Sequence, residues 1–282
     1  MKTNRRNAME DLLKAGLDDQ AMQNLFGLSE RRMLWQCKWD NRFCYYVYVP
    51  ASRVNASKPS KVFVCIHGTA RRYETEQYQV YCEFAEANNC VILFPLFPGG
   101  AVEENNYNDY KLIVSSGFHY DELLLAMIDE VAKRYGNIDT DKFFLVGHSG
   151  GGQFVNRFLY LHPDRILGAV ISAPGRPTYL DKDRDFYWGV KNWTDVFGKE
   201  ISMEELRRVP VMLAVGELDQ KYIGESPYGS TRRERMALLR ENFEENGIST
   251  EFFIIPGMEH AFTVREGFEK QCEFCSRILK IE

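Results

Sequence analysis

The stretch "LVGHSGGG", residues 145–152, places a serine among small residues at the end of an apolar run. Gly147-His148-Ser149-Gly150-Gly151 matches G-x-S-x-G, the pattern of a serine on a sharp strand-to-helix turn with its hydroxyl exposed. Positions two before and two after such a serine must be tiny, because strand and helix approach closely there. Gly147 and Gly151 meet that demand. The phosphate-binding readings of the same residues are weak. A P-loop ends in Gly-Lys-Ser/Thr, and no lysine follows these glycines. A dinucleotide fingerprint needs G-x-G-x-x-G, yet Gly150 to Gly152 run into Gln153, Phe154 and Val155. Nucleophilic attack by Ser149 remains, with the Gly150 N–H aimed at the developing oxyanion. Gly152 receives no role beyond close contact in the first turn of the helix.

A serine of ordinary pKa needs a base, and the base needs an orienting acid. The histidines are His67, His119, His148, His162 and His260. Only His260, in "IIPGMEHAF", follows the last expected strand, so it is the candidate base. His148 adjoins the serine, but the turn points its ring elsewhere; His162 reads as a helix end before Pro163. In "VMLAVGELDQ", Asp219 is the candidate acid, with Glu217 closer to the strand end as its competitor. The aspartates of 181–185 read as solvated charges. After "KVFVCIH" come His67-Gly68-Thr69-Ala70. Gly68 allows close approach, Thr69 supplies the second oxyanion N–H, and Ala70 stands next as a substrate contact. His67 reads as a structural hydrogen-bonder beneath the hole. Arg71 and Arg72 could attract a substrate carboxylate, although adjacent loop arginines are more often solvated.

Positioning these residues takes alternating strands and helices. "MLWQCKW" and "FCYYVYV", joined through Asp40-Asn41, read as an antiparallel hairpin. Buried strands follow at 61–67, 90–96, 142–147, 166–173, 209–216 and 249–256. Helical stretches are expected around 75–88, 120–136, 152–162, 231–246 and 262–280. This pattern predicts an α/β class: a mainly parallel sheet with helices on both faces. The segment 174–209 interrupts it as a lid-like insertion. Its Tyr179, Phe186, Tyr187, Trp188 and Trp193 could roof the pocket or pack the insertion onto the body. Tyr179, Tyr187 and Trp188 are the candidate substrate contacts.

The remaining composition excludes more than it selects. The 282 residues are 45% hydrophobic, with a formal net charge of −5, so no basic footprint for nucleic acid exists. No run of about 18 apolar residues predicts a membrane span, and the basic N-terminus lacks the apolar core of a secretory signal. Seven scattered cysteines suit reduced thiols in a cytoplasm. The close pair in "CEFC" reads as helix packing rather than a zinc or redox site. Residues 1–33 form an N-terminal helical segment that faintly resembles a helix-turn-helix. Its second helix is too short to fill a groove, so packing on the body or a homodimer contact is the default.

His67-Gly68, the Gly147–Gly151 turn, "GELD" with Asp219 and "GMEH" with His260 resemble the α/β-hydrolase fold family over about residues 34–282. "GNIDTDKFFLVGHSGGG" is similar to the corresponding stretch of esterases of the polyhydroxybutyrate-depolymerase and feruloyl-esterase type. The resemblance implies a Ser149–His260–Asp219 triad, an oxyanion hole of Thr69 and Gly150, and no metal or cofactor. It implies hydrolysis of an ester through an acyl-enzyme. Without a secretion signal, a soluble ester, lactone or thioester is expected in place of a polymer. Acyl transfer, thioester cleavage and peptide cleavage use the same machinery and stay open. So does, more remotely, a non-catalytic binding protein.

Overall fold

A near-continuous run of apolar residues puts apolar side chains on both faces of a strand, which must then be covered twice, and this chain builds its sheet from such strands. The computed structural model describes residues 33–261 and 264–281. Ten strands occur among them: β1 (Met33–Gln36), β2 (Cys44–Tyr48), β3 (Ser60–Ile66), β4 (Cys90–Leu96), β5 (Val114–Ser115), β6 (Phe118–His119), β7 (Ile138–His148), β8 (Ile166–Ser172), β9 (Val211–Gly216) and β10 (Thr250–Ile255). Eight form one sheet in the order β1-β2-β4-β3-β7-β8-β9-β10, and β5 with β6 makes a small ribbon. The β1–β2 and β2–β4 pairings are antiparallel; every pairing from β4 to β10 is parallel. The expected hairpin and parallel sheet are both present.

Val62, Val64 and Ile66 of β3, with Leu145 of β7 and Leu213 of β9, enter one core layer. Phe63, Cys65, Phe144, Val146 and Met212 enter the other. Against the first layer pack α2 (Tyr120–Tyr135), α3 (Gly150–Leu161) and α6 (Arg232–Glu245). Against the second pack α1 (Thr75–Asn88) and α7 (Arg265–Leu279), tied together by the Tyr81 hydroxyl on Gln271 at 2.6 Å. Cys272 and Cys275 lie buried in α7 as free thiols, facing this layer. Their packing accounts for "CEFC".

The insertion at 174–209 carries two short helices, α4 (Trp193–Phe197) and α5 (Met203–Leu206). Most of its aromatic residues serve packing. Trp193 is buried and its ring lies 4.1 Å from that of Phe197, while Phe186 meets both edge-on. The N-terminal helical segment read over 1–33 lies outside the described residues up to 32, as does its likeness to a helix-turn-helix. No helix among the described residues is long and apolar enough to cross a membrane.

Because β3, β4 and β7 to β10 run parallel, their carboxyl ends share one edge, where an open α/β sheet places its crevice. Ser149, His67, Ala173, Glu217 and the loop after Ile255 all emerge there.

Candidate active site

Ser149 leaves β7 with φ 56° and ψ −112°, a conformation costing a non-glycine residue about 1–3 kcal/mol unless its surroundings impose it. They do. The Ser149 N–H donates to Ser172 O at the end of β8 (2.9 Å), and Gln153 N–H donates to Ser149 O (3.1 Å). The flanking glycines give the backbone room. A Cβ on Gly147 would stand 2.5 Å from the Gly151 carbonyl, and one on Gly151 would collide with Ile66 O. A Cβ on Gly152 would stand 2.5 Å from Ser172 O, so the close contact expected of the third glycine is what lets α3 lie against β8.

The structure brings the three expected partners together. His260 Nε2 lies 3.0 Å from Ser149 Oγ, and His260 Nδ1 lies 2.8 Å from Asp219 Oδ2. A carboxylate accepts, so Nδ1 carries the proton and Nε2 presents its lone pair to the serine. Asp219 is fully buried and also receives Arg232 Nη1 on Oδ1 at 3.2 Å. Burial alone would raise its carboxyl pKa, but His260 and Arg232 outweigh burial and hold it below the usual value. Glu217, the competing acid, instead accepts from the Gly257 N–H at 2.9 Å. A Cβ on Gly216 would collide with Met258 O, so the acid turn and the histidine loop run backbone against backbone.

His148 points away from the serine, as expected, and takes a job that sequence reasoning missed. Its Nε2 donates to the carbonyl of His260 at 2.8 Å, and its Nδ1 lies 3.1 Å from Ser172 Oγ. Burial, then the neighbouring His260, pushes its pKa down to about 3, so the ring stays neutral. His67 is likewise buried and pushed down to about 3, chiefly by burial. Its Nδ1–H donates to Gly68 O and its Nε2 accepts the Phe97 N–H, fixing the loop that carries Thr69.

Thr69 and Gly150 meet beside the serine. Gly150 opens α3, so its N–H has no acceptor within the helix. A Cβ there would lie 3.0 Å from Thr69 Oγ1, and one on Gly68 would lie 3.9 Å from Ser149 Cβ. Arg71 is a clamp rather than a substrate ligand: its guanidinium donates to Thr69 O, Phe97 O and Tyr107 O. Arg72 pairs with Glu74 at the surface.

A cavity of about 360 Å³ opens over Ser149. Of the four candidate contacts, Tyr187 lines it. Ala70, Tyr179 and Trp188 do not. Ala70 is exposed; Tyr179 is buried, stacked on Tyr228 with its hydroxyl on Arg235 O; Trp188 packs under the Arg235 guanidinium. Much of the lining was missed in the sequence. Tyr107, Asn108, Lys111 and Leu112 come from the connection between β4 and α2, whose length and glycine–asparagine content were its only signal. Gln153 and Arg157 continue the Ser149 face of α3 at steps of four. Arg176, Arg232 and Arg235 complete the wall.

No protein-family model and no curated protein sequence matches the chain. Solved structures do. Poly(aspartic acid) hydrolase-1 from Sphingomonas sp. KT-1 superposes with a TM-score of 0.67 at 19% identity, covering 86% of this chain and 96% of that one. A poly(3-hydroxybutyrate) depolymerase from Bordetella parapertussis gives 0.62 at 19%, covering 88% of each. An S-formylglutathione hydrolase from Agrobacterium tumefaciens gives 0.58 at 14%, covering 88% and 94%. Strand order, the strained serine after β7 and these superpositions together establish that the chain has the α/β-hydrolase fold.

Proposed function

We propose that the protein is a serine hydrolase that cleaves a soluble carboxylic ester or lactone through an acyl-enzyme. The observation that carries this reading is the unbroken chain of hydrogen-bond contacts from Asp219 through His260 to Ser149. Ser149 Oγ attacks the carbonyl as His260 Nε2 takes its proton, and Asp219 holds the imidazole and balances its charge. The N–H groups of Thr69 and Gly150 receive the oxyanion. The imidazolium then protonates the leaving alcohol, and a water activated by the same imidazole frees the acid. Nothing in this sequence requires a metal or cofactor.

The solved neighbours are named for poly(aspartic acid), poly(3-hydroxybutyrate) and S-formylglutathione, so the fold does not select the acyl group. A fluorophosphonate probe tests the mechanism. Wild type labels at Ser149, and Ser149→Ala neither labels nor turns over aryl esters. Full turnover by the alanine variant would refute the proposal. Parallel ester, thioester and amide substrates assign the scissile bond.

A further inference from the structure

Resting on that reading, we infer that the substrate carries an anionic group, a carboxylate, held in the cavity beside the scissile bond. The cavity wall is the reason. Lys111, Arg157, Arg176, Arg232 and Arg235 all line it. Asp219, the carboxylate that Arg232 touches, is shared with His260.

Asp109 lies within electrostatic reach of Lys111 and Glu234 of Arg235, but among the described residues the hydrogen bonds of the other cations go to neutral groups. Arg157, fully buried, donates to Thr178 Oγ1, Arg176 O and Lys111 O. Arg235, 1% exposed, donates to the carbonyls of Gly175, Gly224 and Gly229. Lys111, 7% exposed, donates to Asn108 Oδ1 at 2.5 Å. Arg176, exposed at the mouth, lies over the Tyr187 ring. Arg232 Nε is buried without a hydrogen-bond partner and stands near the Gly175 position on the wall. Buried cations ordinarily meet carboxylates, and unsatisfied guanidinium donors are costly. Here carbonyls and the Thr178 hydroxyl satisfy the geometry of Arg157 and Arg235 without neutralising their charge. None of the described residues that line the cavity is acidic, and a carboxylate on the substrate supplies the missing negative charge.

Placement fits as well. A Cβ on Gly150 would stand 2.9 Å from Lys111 Cε, which sets this lysine beside the reacting centre. Gln153 and Arg157 carry the polar surface along α3 from Ser149. A cavity of about 360 Å³ holds a short acyl or alkyl group with its carboxylate, in keeping with a small-molecule substrate.

Two matched pairs of esters test the inference and locate the charge. On the acyl side, 4-nitrophenyl hemiglutarate is compared with 4-nitrophenyl methyl glutarate. On the alcohol side, 3-acetoxybenzoate is compared with its methyl ester. The expected result is a kcat/KM at least about tenfold higher for the charged member of one pair, shrinking as ionic strength rises from about 0.01 to 0.5 M. Arg176→Gln, at an exposed position that leaves the core intact, lowers that ratio severalfold, as does Lys111→Met. Equal rates within both pairs, or a preference for both neutral members, would overturn the inference. Free phosphate and free glutarate as inhibitors separate the anions: inhibition by glutarate alone supports a carboxylate, and stronger inhibition by phosphate overturns that assignment. Fluorophosphonate labelling of wild type is read alongside. Labelling without charge preference rejects the anionic substrate alone, whereas absence of labelling rejects the hydrolase reading beneath it.

Discussion

His260 is held at three points: Nδ1 by Asp219, Nε2 by Ser149, and its carbonyl by His148. The third contact fixes the histidine backbone, and so where the imidazole starts from. A reacting group displaced by about 1 Å can cost on the order of 10²-fold in rate. His148→Ala therefore lowers kcat by about 10- to 100-fold with little change in KM, because the cavity wall is untouched. His148→Gln, whose amide can donate to the same carbonyl, restores much of kcat. A merely structural histidine would show no such rescue and would lose both kcat and thermal stability in parallel. The candidate acid, base and nucleophile could be proposed from the sequence because each lies on the turn or loop that follows a strand of evident β character. The role of His148 could not: a ring contacting the backbone 112 residues away leaves no trace in local pattern.

At the scale of elements, the turn between β7 and α3 holds a strained serine by packing a helix start between two strand ends. Its three glycines separate into two functions. Gly151 and Gly152 abut backbone carbonyls of β3 and β8, which cannot yield. Gly150 abuts the ends of Lys111 and Thr69, which can, and the hydroxyl of Tyr110, a fully buried ring bonded to His67 O that has little room to move. Gly152→Ala should lower unfolding free energy by about 1–3 kcal/mol, read as a lower urea midpoint at unchanged slope. Gly150→Ala should crowd the oxyanion position and cut kcat by far more than its loss of stability explains, read as kcat beside the urea midpoint. An unchanged midpoint for Gly152→Ala would show that α3 does not need this approach. The sheet itself was readable from its runs of β-branched and aromatic residues, every one of which became a strand. The cavity wall was less readable. Connections of irregular backbone carry no period, so Lys111 and Arg176 showed nothing in sequence of the surface they share. The insertion's aromatic residues left roofing and packing equally open in sequence; burial takes Tyr179 and Trp193 into the body and leaves Tyr187 at the cavity.

Across the whole molecule, a chain of net charge −5 gathers five cations at one cavity, so the positive potential there is built locally. Lys111 shows what this costs. Burial, then the charges of Arg71, Arg176 and Arg157 on neighbouring segments, push its ammonium down to about 8, against the opposing pull of Asp109 on its own turn. In an unfolded chain a lysine keeps its proton to about pH 10.4. Between these values the unfolded state binds more protons than the folded one, so this residue makes stability rise with pH across that window. Below about 8 the folded protein bears the full penalty of the buried charge. An anion in the cavity relieves that penalty and raises the lysine pKa. Lys111→Met should therefore stabilise the ligand-free protein at pH 6.5 by about 1–2 kcal/mol, with the gain fading towards pH 10. In wild type, the preference for the anionic ester should fall as pH climbs through about 8, as Lys111 loses its proton. In the methionine variant the preference should be lower and lack that decline. Melting curves and the two pH profiles check both halves. If wild type and variant show the same pH dependence of the charged-to-neutral ratio, Lys111 does not contact the substrate anion.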